Sequence, residues 1–189
     1  MTIEREIKFR VTDFESIRKR LEGIGGSFVD KYFEENIVFD DYNNSLRVKR
    51  ILLRLRKKGD KNILCLKCPG KYISSEDIKV LEEYETEIGH RENFIIILDK
   101  LGFKISFKYE KIREVWKSGE IFICLDILPF GDYVEIEGKG DLMDFALKLG
   151  LDIRLATTKT YHELNSEIRQ KKGLMACDGF TFDDWRGIV

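Results

Sequence analysis

The sequence lacks several features that would assign its class at once. Its 189 residues contain no apolar run long enough to span a bilayer, and the N-terminus lacks the apolar stretch of a secretory signal. We therefore expect a cytoplasmic protein with no membrane partner. The formal net charge is −1, which argues against a polycation that coats nucleic acid.

Cysteine and histidine are scarce. Cys65 and Cys68 form one C-x-x-C, but Cys124 and Cys177 do not supply the second pair that a zinc site of this type needs. We expect reduced, packed thiols rather than a metal or redox centre. The two histidines form no cluster, and no Cys–His or Ser–His–Asp pattern supports nucleophilic catalysis.

Proline is also scarce, and no linker or low-complexity run interrupts the chain. We predict one compact domain over residues 1–172, followed by a C-terminal tail over residues 173–189. The tail contains Phe180, Phe182 and Trp185, which we expect to dock on the domain rather than remain in solvent.

Charge is abundant and sorted along the chain. Charged residues make up 35% of the sequence, well above the usual quarter. In "IEREIKFR", at residues 3–10, Glu4, Glu6, Lys8 and Arg10 share one face of a predicted strand, and the other face is mostly apolar. Similar two-sided strands are predicted in "ILLRLRK", "ILCLKCPG", "LEEYETEI", "YEKIREVW", "IFICLDIL" and "YVEIEG".

A Glu-x-Glu strand precedes a helix-like segment three times, at residues 4–6, 85–87 and 135–137. Each of these helical segments ends near glycine, and a fourth helix is predicted to start near Thr157 or Thr158. The charged strand faces either meet bulk water, as in an ordinary antiparallel sheet, or enclose a site. Like charges two residues apart repel, so repeated Glu-x-Glu pairs favour an enclosed site with counter-ions.

An enclosed site of mixed charge suits one ligand class. Carboxylates provide hard oxygen ligands for Mg²⁺ or Mn²⁺, and Arg and Lys are strong donors to phosphate oxygens. A polyphosphate needs both partners, because cations bind its oxygens and a metal bridges them.

The motifs resemble those of the CYTH family, also called triphosphate tunnel metalloenzymes. The family includes class IV adenylate cyclases, thiamine triphosphatases and inorganic triphosphatases. "IEREIKF" resembles its E-x-E-x-K signature, "LLRLRKK" its arginine strand and "LCLKCPG" its L-x-x-K-x-P-G strand. Further matches follow in the family's order in "EYETEI", "KYEKIREVW", "CLDILPFGDYVEIEG" and "TTKTYHEL", so that the resemblance covers about residues 2–165.

The resemblance implies an α+β fold in which an eight-stranded antiparallel β-barrel forms a tunnel, with helices packed on the outside. It implies Mg²⁺ or Mn²⁺ as cofactor and a triphosphate-containing small molecule as partner. The implied metal ligands are Glu4, Glu6, Glu135 and Glu137. The implied substrate-binding residues are Lys8, Arg54, Arg56, Lys67, Lys111, Arg113 and Lys159. The implied catalytic acids are Glu85, Glu87, Asp126 and Glu137.

Each assignment has a structural alternative. The first strand would then be a charged edge strand, the arginines surface charges, and Glu85 and Glu87 ion-pair partners. Lys159 would be a surface residue at a helix start, and Tyr161 a packing residue.

Three functions remain in view. Metal-dependent hydrolysis of a triphosphate is preferred, because it needs only the charges that are visible in the sequence. A class IV adenylate cyclase, which converts ATP to cyclic AMP and pyrophosphate, uses the same charged residues to bind the triphosphate and is the first alternative. A non-catalytic polyphosphate- or nucleotide-binding module is the second. The sequence does not distinguish a monomer from a homodimer.

Overall fold

The computed structural model describes residues 2–69 and 79–188, and the side chains of residues 5–69 and 81–188. The described strands are β1 Thr2–Val11, β2 Ser27–Asp41, β3 Leu52–Lys58, β4 Lys61–Pro69, β5 Lys79–Ile88, β6 Phe103–Ser118, β7 Ile121–Leu128 and β8 Gly131–Gly138. The described helices are α1 Phe14–Gly23, α2 Ser45–Val48, α3 Arg91–Lys100, α4 Leu142–Lys148 and α5 Tyr161–Lys171, with a short 3-10 helix at Ile153–Leu155.

The strands close into one antiparallel barrel in the order β1-β5-β4-β3-β2-β6-β7-β8. Closure depends on β1, which pairs with β5 through residues 2–6 and with β8 through residues 6–11. The predicted eight-stranded antiparallel barrel is therefore confirmed.

The outer face of the barrel carries the main hydrophobic core. On β1 and β8, Ile7, Phe9, Val134 and Ile136 are buried beneath α1 and α4. These residues alternate with the charged positions of the same strands, as the period of two requires. The charged positions therefore face inward, into a lumen.

Helix ends follow recognisable local signals. The Asp13 carboxylate caps α1 by accepting from the backbone N–H groups of Glu15 and Ser16. Thr160 and Glu163 form a capping box at the start of α5. Gly150 follows α4 at φ +67°, a conformation that favours glycine, and thus turns the chain away from the helix.

The N-terminus of α5 reaches one end of the lumen, where Tyr161 is buried. Around it, Tyr109, Tyr133, Phe180 and Trp185 form a second buried cluster, so Phe180 and Trp185 of the predicted tail pack on the barrel. Every helix among the described residues is too short or too polar to cross a bilayer.

The tail also adds backbone pairing to β6. Phe180 accepts from the N–H of Glu110 at 3.0 Å and donates to the carbonyl of Lys108 at 3.1 Å. This edge of β6 is available because β7 pairs only with the later stretch of β6, at residues 112–118.

Candidate active site

The lumen gathers charged side chains from six strands around a cavity of about 200 Å³. The charged residues that line it are Glu6, Lys8, Arg54, Arg56, Lys67, Glu83, Glu85, Lys111, Arg113, Glu135 and Glu137. Glu34 and Asp126 lie behind them and contact their charged groups. Six cations therefore face seven acids among the described residues, and the formal charge of the lumen is one negative.

The β1–β8 wall is built around Lys8. Its Nζ lies 2.7 Å from Glu6 and 3.2 Å from Glu135, and all three side chains are buried. Burial by itself would lower the pKa of Lys8, but the carboxylates of Glu135 and Glu6 raise it above its usual range. Burial likewise disfavours the charge on Glu135, yet Arg113 and Lys8 hold the pKa of that carboxyl well below its usual range. Lys8 and Glu135 are consequently both ionised at neutral pH.

Asp126, on β7, organises the adjoining wall and is completely buried. Arg113 donates to its two oxygens at 2.7 and 2.5 Å, and Tyr161 donates its hydroxyl at 2.7 Å. Lys111 lies 3.4 Å away. A second bond from Arg113 reaches Glu135 at 2.7 Å. Through these contacts Asp126 holds Arg113 in place, with Lys111 beside it.

The β2–β3 wall carries more cationic charge. Glu34 is fully buried and lies 3.6 Å from Arg56 and 3.9 Å from Lys111. Burial opposes its ionisation, but Lys111 and Arg56 lower the pKa of Glu34 strongly. Asn36 donates to the same carboxylate at 3.0 Å, and Arg54 donates to the Tyr109 hydroxyl at 2.7 Å.

Several buried polar atoms on this wall have no hydrogen-bond partner among the described residues. They are Glu34 Oε2, Asn36 Oδ1, Arg54 Nε and Arg56 Nε. An unsatisfied buried polar group is costly, and native proteins rarely leave several together. The lumen is thus built for polar occupants.

The β4–β5 wall completes the ring. Glu83 lies 3.3 Å from Lys67 and 3.8 Å from Arg54, and it accepts from the Cys65 thiol at 3.0 Å. Burial raises the pKa of Cys65 to about 11, so the group is a neutral thiol. Glu85 is nearer the opening and lies 3.5 Å from Arg56.

The acid-rich side of the lumen suits a divalent cation. Cys124, Glu135 and Glu137 have ligand atoms within 4.8 Å of one another, and Glu6 is paired with Glu137 in the β1–β8 register. Burial raises the pKa of the Cys124 thiol well above its usual value, so the carboxylates are the ready ligands. Oxygen ligands of this kind fit Mg²⁺ or Mn²⁺. A second group, Cys65, Glu83 and Glu85, has the same spacing on the β4–β5 wall.

Most of the predicted site residues meet in this lumen, and three require separate mention. Glu87 lies at the rim, 61% exposed, and pairs with Lys61. Lys159 is half exposed and pairs with Glu167 on the surface. Glu4 belongs to β1, but its side chain lies outside the described residues.

The structure adds lumen residues that the sequence analysis did not assign to the site. They are Glu34, Asn36, Glu83, Tyr109 and Tyr161. A signal for the β2 pair exists, since Glu34, Asn36 and Val38 alternate with Phe33, Ile37 and Phe39. Tyr161 gave no such signal, because its hydroxyl reaches Asp126 only through the placement of α5.

A closed barrel with a lumen of paired acids and bases defines the structural class, and a comparison with known proteins specifies the family. The model of the CYTH domain matches residues 2–170. This chain therefore belongs to the CYTH family, whose members are triphosphatases or adenylate cyclases that bind triphosphate substrates and use divalent metals.

Individual relatives agree with this assignment. A candidate adenylate cyclase of Methanocaldococcus jannaschii is 31% identical over 136 residues, covering 71% of this chain and 76% of that protein. The solved structure of a candidate adenylate cyclase from Vibrio parahaemolyticus superposes with a TM-score of 0.76 at 20% identity, covering 87% of this chain and 98% of the other.

A third protein connects the two activities. The solved structure of a candidate adenylyl cyclase from Hippeastrum, described as having a dominant triphosphatase activity, gives a TM-score of 0.61 at 18% identity. It covers 91% of this chain and 97% of the other. At this level of identity the likeness concerns the fold.

Proposed function

We propose that this protein is a divalent-metal-dependent hydrolase that cleaves a triphosphate inside the barrel lumen. The observation that carries the proposal is the arrangement of the lumen, where cations on several walls converge on a small cavity beside a cluster of carboxylates. In this proposal Lys8, Arg54, Arg56, Lys111 and Arg113 bind the phosphate oxygens, with Lys67 nearer the outside. Glu6, Glu135 and Glu137 hold the metal.

The charge balance supports a metal as part of the substrate complex. The described lumen side chains carry one net negative charge, so a free triphosphate would find no excess of positive charge there. A divalent cation held by Glu6, Glu135 and Glu137 would supply the missing positive charge and Lewis acidity toward the triphosphate. Arg113 and Lys8 contact Glu135 and also line the cavity, so they are placed to bind phosphate oxygens.

The reaction proceeds by attack of water on a terminal phosphorus. A new P–O bond forms, the bridging P–O bond breaks, and the leaving phosphate oxygen takes the electron pair. The Glu137 carboxylate orients the water and accepts its proton, which then passes to solvent. The arginines and lysines stabilise charge that develops on the phosphate oxygens, while Asp126 and Tyr161 keep Arg113 in place.

Cyclisation of ATP is the second candidate, because the relative from Methanocaldococcus jannaschii bears the name of a candidate adenylate cyclase. The attacking oxygen would then be the ribose 3′-hydroxyl rather than water. The charged residues of the lumen would bind the triphosphate chain in both reactions.

One assay tests the proposal. The full chain is incubated with inorganic triphosphate, ATP or thiamine triphosphate, each with Mg²⁺ or Mn²⁺, and the products are resolved by ³¹P NMR and anion-exchange chromatography. We expect phosphate release that stops when a chelator is added. Cyclic AMP and pyrophosphate as the main products would replace hydrolysis by cyclisation, and tight binding without turnover would contradict both.

A matched pair of variants ties turnover to the lumen. Glu6→Gln should abolish metal-dependent turnover. Glu114→Gln changes a glutamate that pairs with Arg18 away from the lumen, and it should leave turnover intact. Equal rates for the two variants would argue against the metal assignment.

A further inference from the structure

A second cavity lies beside the lumen and is larger, at about 830 Å³. The two cavities share Leu52, Lys67, Thr160 and His162 in their linings, so they adjoin. The second one, here called the outer cavity, lies between α5, the α2–β3 connection, the C-terminal end of β2 and the N-terminal part of β6. The proposed function uses the lumen and leaves this cavity unassigned.

The two cavities differ in size and therefore suit different parts of a substrate. Pockets for small molecules usually measure about 300–1,000 Å³, so the lumen at about 200 Å³ suits a phosphate chain but not a whole nucleotide. The outer cavity, at about 830 Å³, has room for an organic group attached to the end of that chain. Lys67, in both linings, lies where chain and group would join.

The walls of the outer cavity are of mixed polarity. Val38, Ile51, Leu52 and Phe107 provide apolar surface, and Ser166 provides a hydroxyl. The ring of Phe107 packs against His162, with centroids 4.6 Å apart and planes at 63°. Apolar and aromatic walls with a few hydrogen-bonding groups suit a flat heterocycle joined to a polar sugar.

The charges in the lining disfavour one type of organic group, a permanent cation. Each of the four acids in the lining already has partners: Asp178 pairs with Arg47, and Glu167 pairs with Lys159. Asp40 accepts from backbone N–H groups at the start of α2, and Glu163 belongs to the capping box of α5. A permanently cationic group, such as the thiazolium of thiamine, would therefore have to compete for each carboxylate.

We infer that the outer cavity binds the uncharged, nucleoside-sized organic group of the substrate, which makes the substrate a nucleoside triphosphate rather than inorganic or thiamine triphosphate. This inference rests on the proposed function of the lumen, since it assumes that the triphosphate chain lies there.

The test fills the cavity without touching the lumen. Ser166 lies on α5, is half-buried and lines only the outer cavity, so Ser166→Phe places a ring in the proposed nucleoside site. Gln170→Phe adds the same ring to the same helix at an exposed position outside both linings and is the matched control. Ile51→Trp fills the cavity from the α2–β3 connection, and thermal unfolding identifies any variant that fails to fold.

We expect Ser166→Phe and Ile51→Trp to raise KM for ATP at least about tenfold, as expected for a steric change in a substrate pocket. The kcat/KM for inorganic triphosphate should stay within about twofold, and Gln170→Phe should change neither. The wild-type protein should have a higher kcat/KM for ATP than for either thiamine triphosphate or inorganic triphosphate. The inference would be overturned by equal losses for ATP and inorganic triphosphate, by no loss for either, or by a wild-type preference for thiamine or inorganic triphosphate.

If no triphosphate is hydrolysed, the inference can still be tested by calorimetry, which measures the binding of a non-hydrolysable ATP analogue. Absence of phosphate release from every triphosphate would contradict the proposed function alone. The inference would still be supported if Ser166→Phe weakened analogue binding at least about tenfold and left inorganic triphosphate binding unchanged. It would be overturned if the variant and the wild type bound the analogue equally.

Discussion

The outer and inner faces of the same strands bury opposite kinds of side chain, apolar on the outside and charged on the inside. On β8, Val134 and Ile136 point outward into an apolar core and are fully buried, and they need no specific partner. Between them, Glu135 points inward, where its charge is tolerable only beside Lys8 and Arg113. Apolar burial stabilises without direction, whereas buried ion pairs roughly offset their own desolvation. The outer face therefore provides stability and the inner face provides chemistry.

The largest effect should come from the inner face. Glu135→Gln removes a carboxylate that contacts both Lys8 and Arg113 and belongs to the metal-binding group. We expect kcat/KM for the preferred triphosphate to fall about 1,000-fold, the upper range for loss of one charged interaction in an active site. Glu6 still pairs with Lys8, and Asp126 with Arg113, so the far-UV circular dichroism should not change. Full activity in this variant would remove Glu135 from the site.

The next largest effect is expected on stability, from a substitution on the outer face. Ile136→Ala deletes buried methyl groups from the core beneath α1 and α4. We expect the free energy of unfolding to fall by about 3 kcal/mol, while kcat/KM per folded molecule stays within about twofold. Urea unfolding and activity at low temperature measure the two quantities. A large loss of activity with unchanged stability would contradict the division between the faces.

Ligand binding should stabilise through the inner face alone. Inorganic triphosphate with Mg²⁺ at about 100 times Kd should add about 2.7 kcal/mol, which corresponds to roughly 5–10 °C in Tm for a chain of this size. Differential scanning fluorimetry should show this shift in Ile136→Ala and not in Glu135→Gln. An equal shift in both variants would show that the ligand binds elsewhere.

The smallest effect concerns a buried acid outside the lumen. Arg18, Trp116 and Lys31 lower the pKa of Glu114 from 4.5 to about 2, against the opposing effect of burial. Because the folded-state pKa is depressed, this stability is fully present above about pH 4.5 and is lost as pH falls towards 2. Glu114→Gln should cost about 1 kcal/mol at pH 7 and flatten the pH dependence of unfolding in that window. An unchanged slope in acid titrations followed by tryptophan fluorescence would contradict this assignment.

The alternation of residues predicted which face of a strand is charged, but it could not predict how deeply each charged side chain lies in the barrel. Glu83, Glu85 and Glu87 share one face of β5, yet their exposed side-chain fractions are 17%, 40% and 61%. Depth depends on strand tilt and on where the barrel ends, which a period of two does not encode. The sequence therefore indicated the charged strand correctly, while the structure places Glu83 inside and Glu87 at the rim.

Other parts of the site needed the tertiary structure. The four-residue helix α2 has no periodic signal, and the outer cavity arises where α2, β6 and α5 converge. Tyr161 reads as a packing residue at a helix start, and only the docking of α5 brings its hydroxyl to Asp126. Local patterns thus predicted the two-sided strands, and the family resemblance implied the barrel and most of its charged lining, but neither predicted the contacts between distant segments.

The backbone pairing between Phe180 and β6 has a consequence for how the molecule behaves among its own copies. The N–H of Glu110 and the carbonyl of Lys108 are satisfied by a segment that follows α5. If that segment detached, these groups would form an open strand edge, a template for pairing with another chain. The Phe180 segment therefore covers a strand edge that would otherwise be open to another copy of the chain.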